Sequence, residues 1–131
     1  MNSLCKFLLA LGFYLTATNL IRAQSGSINL LPRYGNIEKS SAMLKLDEEF
    51  IDFCDKNFPN RQAASAYHAA KGWSFFGAGD YTTAIRRFNQ SWLLDSTNAN
   101  AFWGFGAITA IRLENDVSLQ FFQKSYQLNP T

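Results

Sequence analysis

The sequence predicts an all-α fold, and three observations support this prediction. Apolar side chains recur at three- and four-residue steps along most of the chain, which is the spacing of one helix face. No segment shows convincing strand alternation. Two stretches also match at a spacing of 34 residues, which is typical of helical pairs that must stack to bury their apolar faces. The matching pairs are Gly72 with Gly106, Phe88 with Phe122, Ser91 with Ser125, and Leu94 with Leu128.

Residues 1–23 have the pattern of a secretory signal peptide. One lysine, Lys6, precedes the nine-residue apolar run from Phe7 to Leu15, and Ala23 supplies a small residue before the expected cleavage site. Nine apolar residues are too few to cross about 30 Å of hydrocarbon. We therefore expect an exported chain, periplasmic or secreted, without a stable membrane span once the signal is removed.

Removal of that signal leaves a neutral chain. The full sequence has 12 Lys+Arg and 10 Asp+Glu, and Lys6 and Arg22 leave with the signal. Because the rest shows no basic stripe, phosphate-driven binding has no evident source, and we expect no nucleic-acid partner. Of the two cysteines only Cys54 remains, so we expect no internal disulfide and a core that depends on the many aromatic residues.

The segment 24–39 is predicted to be a flexible, exposed linker, because it contains Gly26, Pro32 and Gly35 without a sustained period. A leading helix follows within the segment 40–58.

This leading helix is predicted to run from Ser41 to Asn57. Ser40 or Ser41 can cap its N-terminus, and Pro59 ends it. Its apolar face is formed by Met43, Leu46, Phe50, Cys54 and Phe58.

Two further units, 61–98 and 99–131, are each predicted to hold two helices. Asp80 and Asn115 are the expected N-caps of the second helix in each unit. The predicted helices run, in order, from about 61 to 76, from 81 to 94, from 99 to 113 and from 116 to 128.

The repeated positions resemble the tetratricopeptide repeat family. Its small residue midway along the first helix is matched by Gly72 and Gly106, and its turn by Gly79-Asp80-Tyr81. The second unit is the weaker match, because Leu113-Glu114-Asn115 lacks the glycine and the aromatic residue of that turn. The pattern is completed by Ala84, Phe88 and Ser91 in the first unit and by Ser118, Phe122, Ser125 and Pro130 in the second.

The resemblance implies a short right-handed α-solenoid, in which two helix-turn-helix units stack on the leading helix. The chain is also similar to exported bacterial repeat proteins without assigned activity, which points to a Gram-negative bacterium. In such arrays the first helix of each unit lines a groove for a peptide or a helix. The groove positions here are Ala66, Ala69, Trp73, Phe76, Asn100, Trp103, Ala107 and Ala110.

These groove positions predict a protein or peptide partner rather than a substrate. We expect apolar contact with that partner through Trp73, Phe76 and Trp103, with Asn100 as the polar position. The alternative is that the leading helix packs into this face, since aromatic residues at helical spacing are usually core.

The chain carries little that predicts catalysis. Cys54 and the single histidine, His68, are a candidate nucleophile and base, but no motif places an acidic partner beside them. We interpret Cys54 as a core residue and His68 as partly exposed. No zinc-site spacing or phosphate loop is present, so we expect no metal, no cofactor and no enzyme. Asn89-Gln90-Ser91 is a formal glycosylation sequon, interpreted as chance because it lies inside a predicted helix.

The last helix is a second candidate surface. On a helical wheel, one side carries Val117, Phe121 and Leu128, and the nearly opposite side carries Leu119, Phe122 and Tyr126. One side can cover the preceding helix, whereas nothing in this chain is predicted to cover the other. We therefore expect Leu119 and Tyr126 to contact a partner. Two alternatives are a homodimer through this helix and a chain that is the N-terminal fragment of a longer repeat protein.

Overall fold

The computed structural model describes residues 26–130, and the predicted signal peptide lies outside this part of the chain. Most of the described residues are helical and none forms a strand, which confirms the all-α fold class. None of the helices in residues 26–130 has the length and apolar character needed to cross a bilayer. The α-helices after residue 40 are α1 (Ser41–Asn57), α2 (Arg61–Gly77), α3 (Tyr81–Leu94), α4 (Ala99–Ile111) and α5 (Asn115–Leu128).

Capping side chains start four of these helices. Ser40 accepts a hydrogen bond from the backbone N–H of Met43 at the start of α1, and Asp80 accepts one from Thr83 at the start of α3. Both caps were expected from the sequence. The expected cap of α5 is wrong, because Asn115 is already helical and Glu114 precedes it without a side-chain cap.

The turns within the two helical pairs have the same backbone geometry. Gly79 and Leu113 both adopt positive φ, 80° and 64°. The N–H of Gly79 donates to the carbonyl of Phe76, and that of Leu113 donates to Ala110, both at 3.0 Å. The second turn therefore keeps the shape of the first although leucine replaces glycine.

Helices adjacent in the chain pack together. The closest pairs are α2 with α3 and α4 with α5, and α3 joins these pairs by packing against α4. At one end, α1 contacts α2. The main core between the pairs consists of Ala84, Ile85, Phe88, Phe102, Phe105, Ile108 and Phe121.

An N-terminal arm, residues 26–39, packs along α3. The prediction of an exposed, flexible linker is wrong for this part of the chain, because Ile28 and Tyr34 are buried. The side-chain amide of Asn89 in α3 donates to the backbone carbonyls of Asn29 (3.1 Å) and Leu31 (2.9 Å). These bonds hold the arm on the helix.

The arm also reaches the second helical pair. Arg112, after α4, donates to the carbonyl of Leu30 at 2.8 Å, and the guanidinium of Arg33 lies 5.5 Å from the centre of the Phe121 ring. The arm bends through a 3₁₀ turn, Pro32–Asn36, in which Arg33 and Tyr34 adopt positive φ. Non-glycine residues keep this conformation only where surrounding contacts hold them.

Candidate interaction surface

The contact between the two helical pairs is centred on Phe88, which two glycines enclose. A methyl group added to Gly72 of α2 would lie 2.5 Å from Cε1 of Phe88, and one added to Gly104 of α4 would lie 2.5 Å from the same ring. Both helices therefore approach α3 to a distance that only glycine permits. Phe88 is completely buried as a result.

Phe122 occupies the equivalent position in α5, 34 residues later, but is less covered. A methyl group added to Gly106 of α4 would lie 2.6 Å from Cε1 of Phe122. No helix follows α5 in residues 26–130, so no second glycine lies against this ring. Phe122 is consequently only partly buried.

The neighbours of these two phenylalanines differ in the same way. Ile85 is 0% exposed, whereas its equivalent Leu119 is 56% exposed. Trp92 packs against the core and the arm, whereas its equivalent Tyr126 is 63% exposed. The cause is that α4 and the arm cover α3, and neither has a counterpart over α5 in the described residues. We call the stripe formed by Leu119, Phe122 and Tyr126 the terminal face.

Trp103 extends the terminal face onto α4. Its ring centroid lies 4.8 Å from that of Phe122, and 50% of Trp103 is exposed. Asn100, one turn earlier on the same helix, is exposed. The structure thus brings Trp103, which was predicted in the groove, next to the residues predicted on the last helix.

Trp73 and Phe76 belong more to the core than to a free surface. The centroid of Trp73 lies 5.2 Å from that of Phe88 and 5.3 Å from that of Phe76. Both side chains are partly buried against the main core. Ala69 was predicted in the groove, and this is wrong, because it is buried on the same face of α2 as Ser65 and Gly72.

Cys54 and His68 lie close together, but their protonation states near neutral pH do not favour catalysis. The Cys54 Sγ lies 3.9 Å from Nε2 of His68. Burial, with a contribution from Arg87, lowers the pKa of His68 to about 4. Burial, with a contribution from Asp55, raises the pKa of the Cys54 thiol. Near pH 7 both groups are therefore neutral, and the thiolate needed for nucleophilic attack is disfavoured.

The core position predicted for Cys54 is confirmed, whereas the partial exposure predicted for His68 is wrong. The imidazole is buried because three aromatic rings surround it, with centroids 5.2 to 6.3 Å away. These rings belong to Phe50, Phe58 and Tyr67. Sequence periodicity did not reveal this cluster, because the rings come from α1, the following turn and α2.

Residues 26–130 give little support for a metal site or for a glycosylation site. No group of three or more His, Cys, Asp or Glu side chains in this range is placed to hold a metal ion. The side chain of Asn89, in the glycosylation sequon, is buried and bonded to the arm, so it is inaccessible in the folded chain.

A cavity of about 230 Å³ lies between the arm, α1 and α3, and sequence reasoning did not find it. Lys39 and Asp47 in its wall form an ion pair, and the Lys39 ammonium lies 3.4 Å from the centre of the Tyr34 ring. Two of the charges at the cavity therefore neutralise each other. Only a tertiary contact between arm and helix creates this space, so no local pattern could have indicated it.

No protein-family model, curated protein or solved structure matches the chain, and the resemblance to tetratricopeptide repeats stays a prediction that rests on its own residues.

Proposed function

We propose that this chain is a non-catalytic protein-interaction module, built as two tetratricopeptide-like units stacked on α1. It is exported to the cell envelope after removal of residues 1–23 and holds a peptide or protein surface by apolar contact. The observation that carries the proposal is the exposure of Leu119 and Tyr126, 56% and 63%, at positions whose equivalents in α3 are covered.

The repeated glycine–phenylalanine contacts support the solenoid architecture. Gly72 packs on Phe88 and Gly106 packs on Phe122 in the same way, and each pair turns through a residue of positive φ. Units related in this manner bury apolar surface by stacking, and a unit that no further helix covers within residues 26–130 presents an exposed apolar face there.

The state of the titratable groups favours binding over catalysis. The Cys54–His68 pair is buried and neutral, and Lys39 is paired with Asp47. An enzyme of acid–base or nucleophilic type needs a converging set of groups with an accessible reacting atom. The described residues offer apolar surface instead.

Site-specific photo-crosslinking in the cells that produce the protein tests this function. A photoreactive phenylalanine analogue at Leu119 or Trp103 is expected to crosslink one defined partner in the envelope fraction. The same analogue at Gln127, which is also exposed on α5, is the matched control. A product of equal yield from Gln127, or no product from either apolar position, would contradict the proposal.

A homodimer through α5 is the second candidate. Two copies related by a two-fold axis would each cover the terminal face of the other, which removes the exposed apolar surface without a foreign partner. Light scattering after size exclusion decides this, and a monomer at high micromolar concentration excludes the homodimer.

A further inference from the structure

We propose that the cavity between the arm, α1 and α3 binds a small organic anion, a monocarboxylate with an apolar body, whose carboxylate lies at Arg86. This site is separate from the terminal face, so it adds a small-molecule ligand to the function proposed above.

Part of the cavity wall is apolar and shielded from bulk water. Ile28 of the arm and Met43 of α1 are buried, and Phe50 of α1 and Leu93 of α3 are partly buried. Water in such a space is bounded by hydrocarbon on several sides. The apolar body of a ligand that replaces this water is therefore stabilised by the hydrophobic effect.

The volume of the cavity restricts the size of the ligand. At about 230 Å³ it is smaller than the pockets of about 300–1,000 Å³ that hold drug-sized molecules. A molecule on the order of ten non-hydrogen atoms fits this space.

The edge of the cavity is open to solvent and carries a cation. Leu46 is 53% exposed and Arg86 is also exposed, and both belong to the wall. A carboxylate at this edge keeps part of its hydration while the rest of the ligand is buried. The ligand thus avoids the large cost of burying a charge without water.

Arg86 has no partner of its own in the folded chain. It forms no hydrogen bond and no ion pair with residues 26–130. Its charge contributes, after the hydrogen bonds from Thr83, to the lowered pKa of Asp80, but the two side chains are not paired. A guanidinium with all its donors unused can bind both oxygens of a carboxylate.

The charges of the wall favour an anion. Lys39 and Asp47 neutralise each other as an ion pair, so Arg86 leaves the wall with one net positive charge. Glu48 and Glu49 follow Asp47 in α1 but do not line the cavity. One negative charge on the ligand therefore balances the site.

Two side-chain amides at the wall provide further donors. The Oε1 of Gln90 accepts a hydrogen bond from Nη1 of Arg87 at 2.9 Å, so its NH₂ group has no acceptor among the described residues. The side chain of Asn29 forms no hydrogen bond with residues 26–130 either, although its backbone carbonyl does. A ligand rich in acceptors complements these groups, as a carboxylate does.

An NMR titration with phenylacetate tests the site. Phenylacetamide and phenethylammonium are the matched probes, because they keep a similar apolar body but are neutral and cationic. The reporter is the ¹³C-labelled methyl group of Met43, which lines the cavity and is one of two methionines in the chain. Met43→Leu identifies its resonance.

We expect phenylacetate to shift the Met43 methyl resonance in a saturable manner. Phenylacetamide should bind about fivefold more weakly, because it loses one partly exposed charge pair, and phenethylammonium should bind more weakly still. Added salt should weaken the binding of phenylacetate more than that of phenylacetamide.

Variants of Arg86 assign the charge. Arg86→Gln should remove the preference for phenylacetate over phenylacetamide, and Arg86→Glu should favour phenethylammonium instead. Lys124→Gln and Lys124→Glu make the same charge changes at an exposed position of α5, and they should leave the order of the three probes unchanged. Because Arg86 is exposed and unbonded, its variants should fold, which circular dichroism checks.

Three results would overturn the proposal. No saturable shift of Met43 with phenylacetate would mean that the cavity holds water only. Equal binding of the three probes would remove the anion preference, and a preference that survives Arg86→Gln would remove the role of Arg86. None of these results depends on crosslinking at Leu119, so the interaction module and the anion site can fail separately.

Discussion

Gly104 of α4 lies directly against the ring of Phe88 of α3, so closely that a methyl group at Gly104 would fall 2.5 Å from Cδ1 of that ring. This contact joins the two helical pairs, and it depends on a residue that is otherwise unfavourable in a helix. Glycine costs roughly 0.5–1 kcal/mol relative to alanine in a helix interior. Helix propensity and packing therefore make opposite predictions for an alanine at this position.

Gly104→Ala should destabilise the fold, because the clash with Phe88 outweighs the gain in helix propensity. Overpacking of this kind costs about 1–3 kcal/mol. Urea unfolding followed by circular dichroism measures the change. Gly77→Ala is the matched control, since an added methyl group at Gly77 meets nothing within 4 Å. If Gly104→Ala were as stable as the natural protein, the close packing of α4 on α3 would be incorrect.

Leu113→Gly should stabilise the protein. Leu113 adopts φ 64°, the left-handed conformation that Gly79 provides in the first unit, and its side chain is largely exposed. Relief of this conformation is worth roughly 1–2 kcal/mol for a non-glycine residue. Thermal unfolding should therefore shift to a higher temperature. Leu113→Ala separates the causes, because it removes the same exposed apolar surface but keeps the strained φ and should give no such gain.

The stability of the fold should fall as the pH falls from about 6.5 to about 4 through His68. Burial lowers the pKa of His68 to about 4, so in this range the unfolded chain binds a proton that the folded chain does not. The contribution is complete above pH 6.5 and lost below pH 4. Because His68 is the single histidine, one imidazole resonance in an NMR titration reports it. A midpoint near 6.5 would contradict the buried position.

The pH dependence has its own control. The variant His68→Gln lacks the imidazole but keeps every carboxylate. Its stability should therefore fall less than that of the natural protein between pH 6.5 and pH 4, by the contribution of the imidazole. An unchanged stability profile for this variant would assign the whole pH dependence to carboxylates such as Asp55, whose pKa Arg61 lowers by a hydrogen bond.

Cys54 should react slowly with a thiol reagent in the folded protein and at an ordinary rate in denaturant. Its side chain is buried, and burial raises the pKa of the thiol. The experiment uses a Cys5→Ser chain so that only one thiol is counted. Fast stoichiometric labelling under native conditions would show that Cys54 is an accessible thiolate. That result would support a role as a nucleophile and contradict the buried, neutral thiol.

Asn89→Ala should release the arm from α3. The Asn89 amide donates two hydrogen bonds to carbonyls of the arm, and their loss leaves these carbonyls without donors from α3. Hydrogen exchange should become faster at residues 28–37 and change less in α5. Asn100→Ala, which removes an exposed amide from α4, is the control. Uniform acceleration across all helices would instead indicate a global loss of stability.

The sequence by itself determined the helices, because their signals are local. The structure gives α1 the predicted bounds, Ser41–Asn57, and α3 begins after its predicted cap, Asp80. The 34-residue register paired Gly72 with Gly106 and Phe88 with Phe122, and the structure places each glycine against the ring of its own unit. Apolar spacing and capping act within one or two turns, so they can be predicted without knowledge of the neighbours.

Only the tertiary structure decided which of these residues are covered. Asn89 lies inside a helix like any polar residue, and its bonds to the arm span about sixty positions of the chain. Phe88 and Phe122 have the same local pattern, yet one is sealed between two glycines and the other is open on its outer side. Burial depends on what stacks next to a helix. Within the described residues, α3 has such a neighbour and α5 does not. The positions on α3 therefore belong to the core, whereas the equivalent positions on α5 form a candidate binding face.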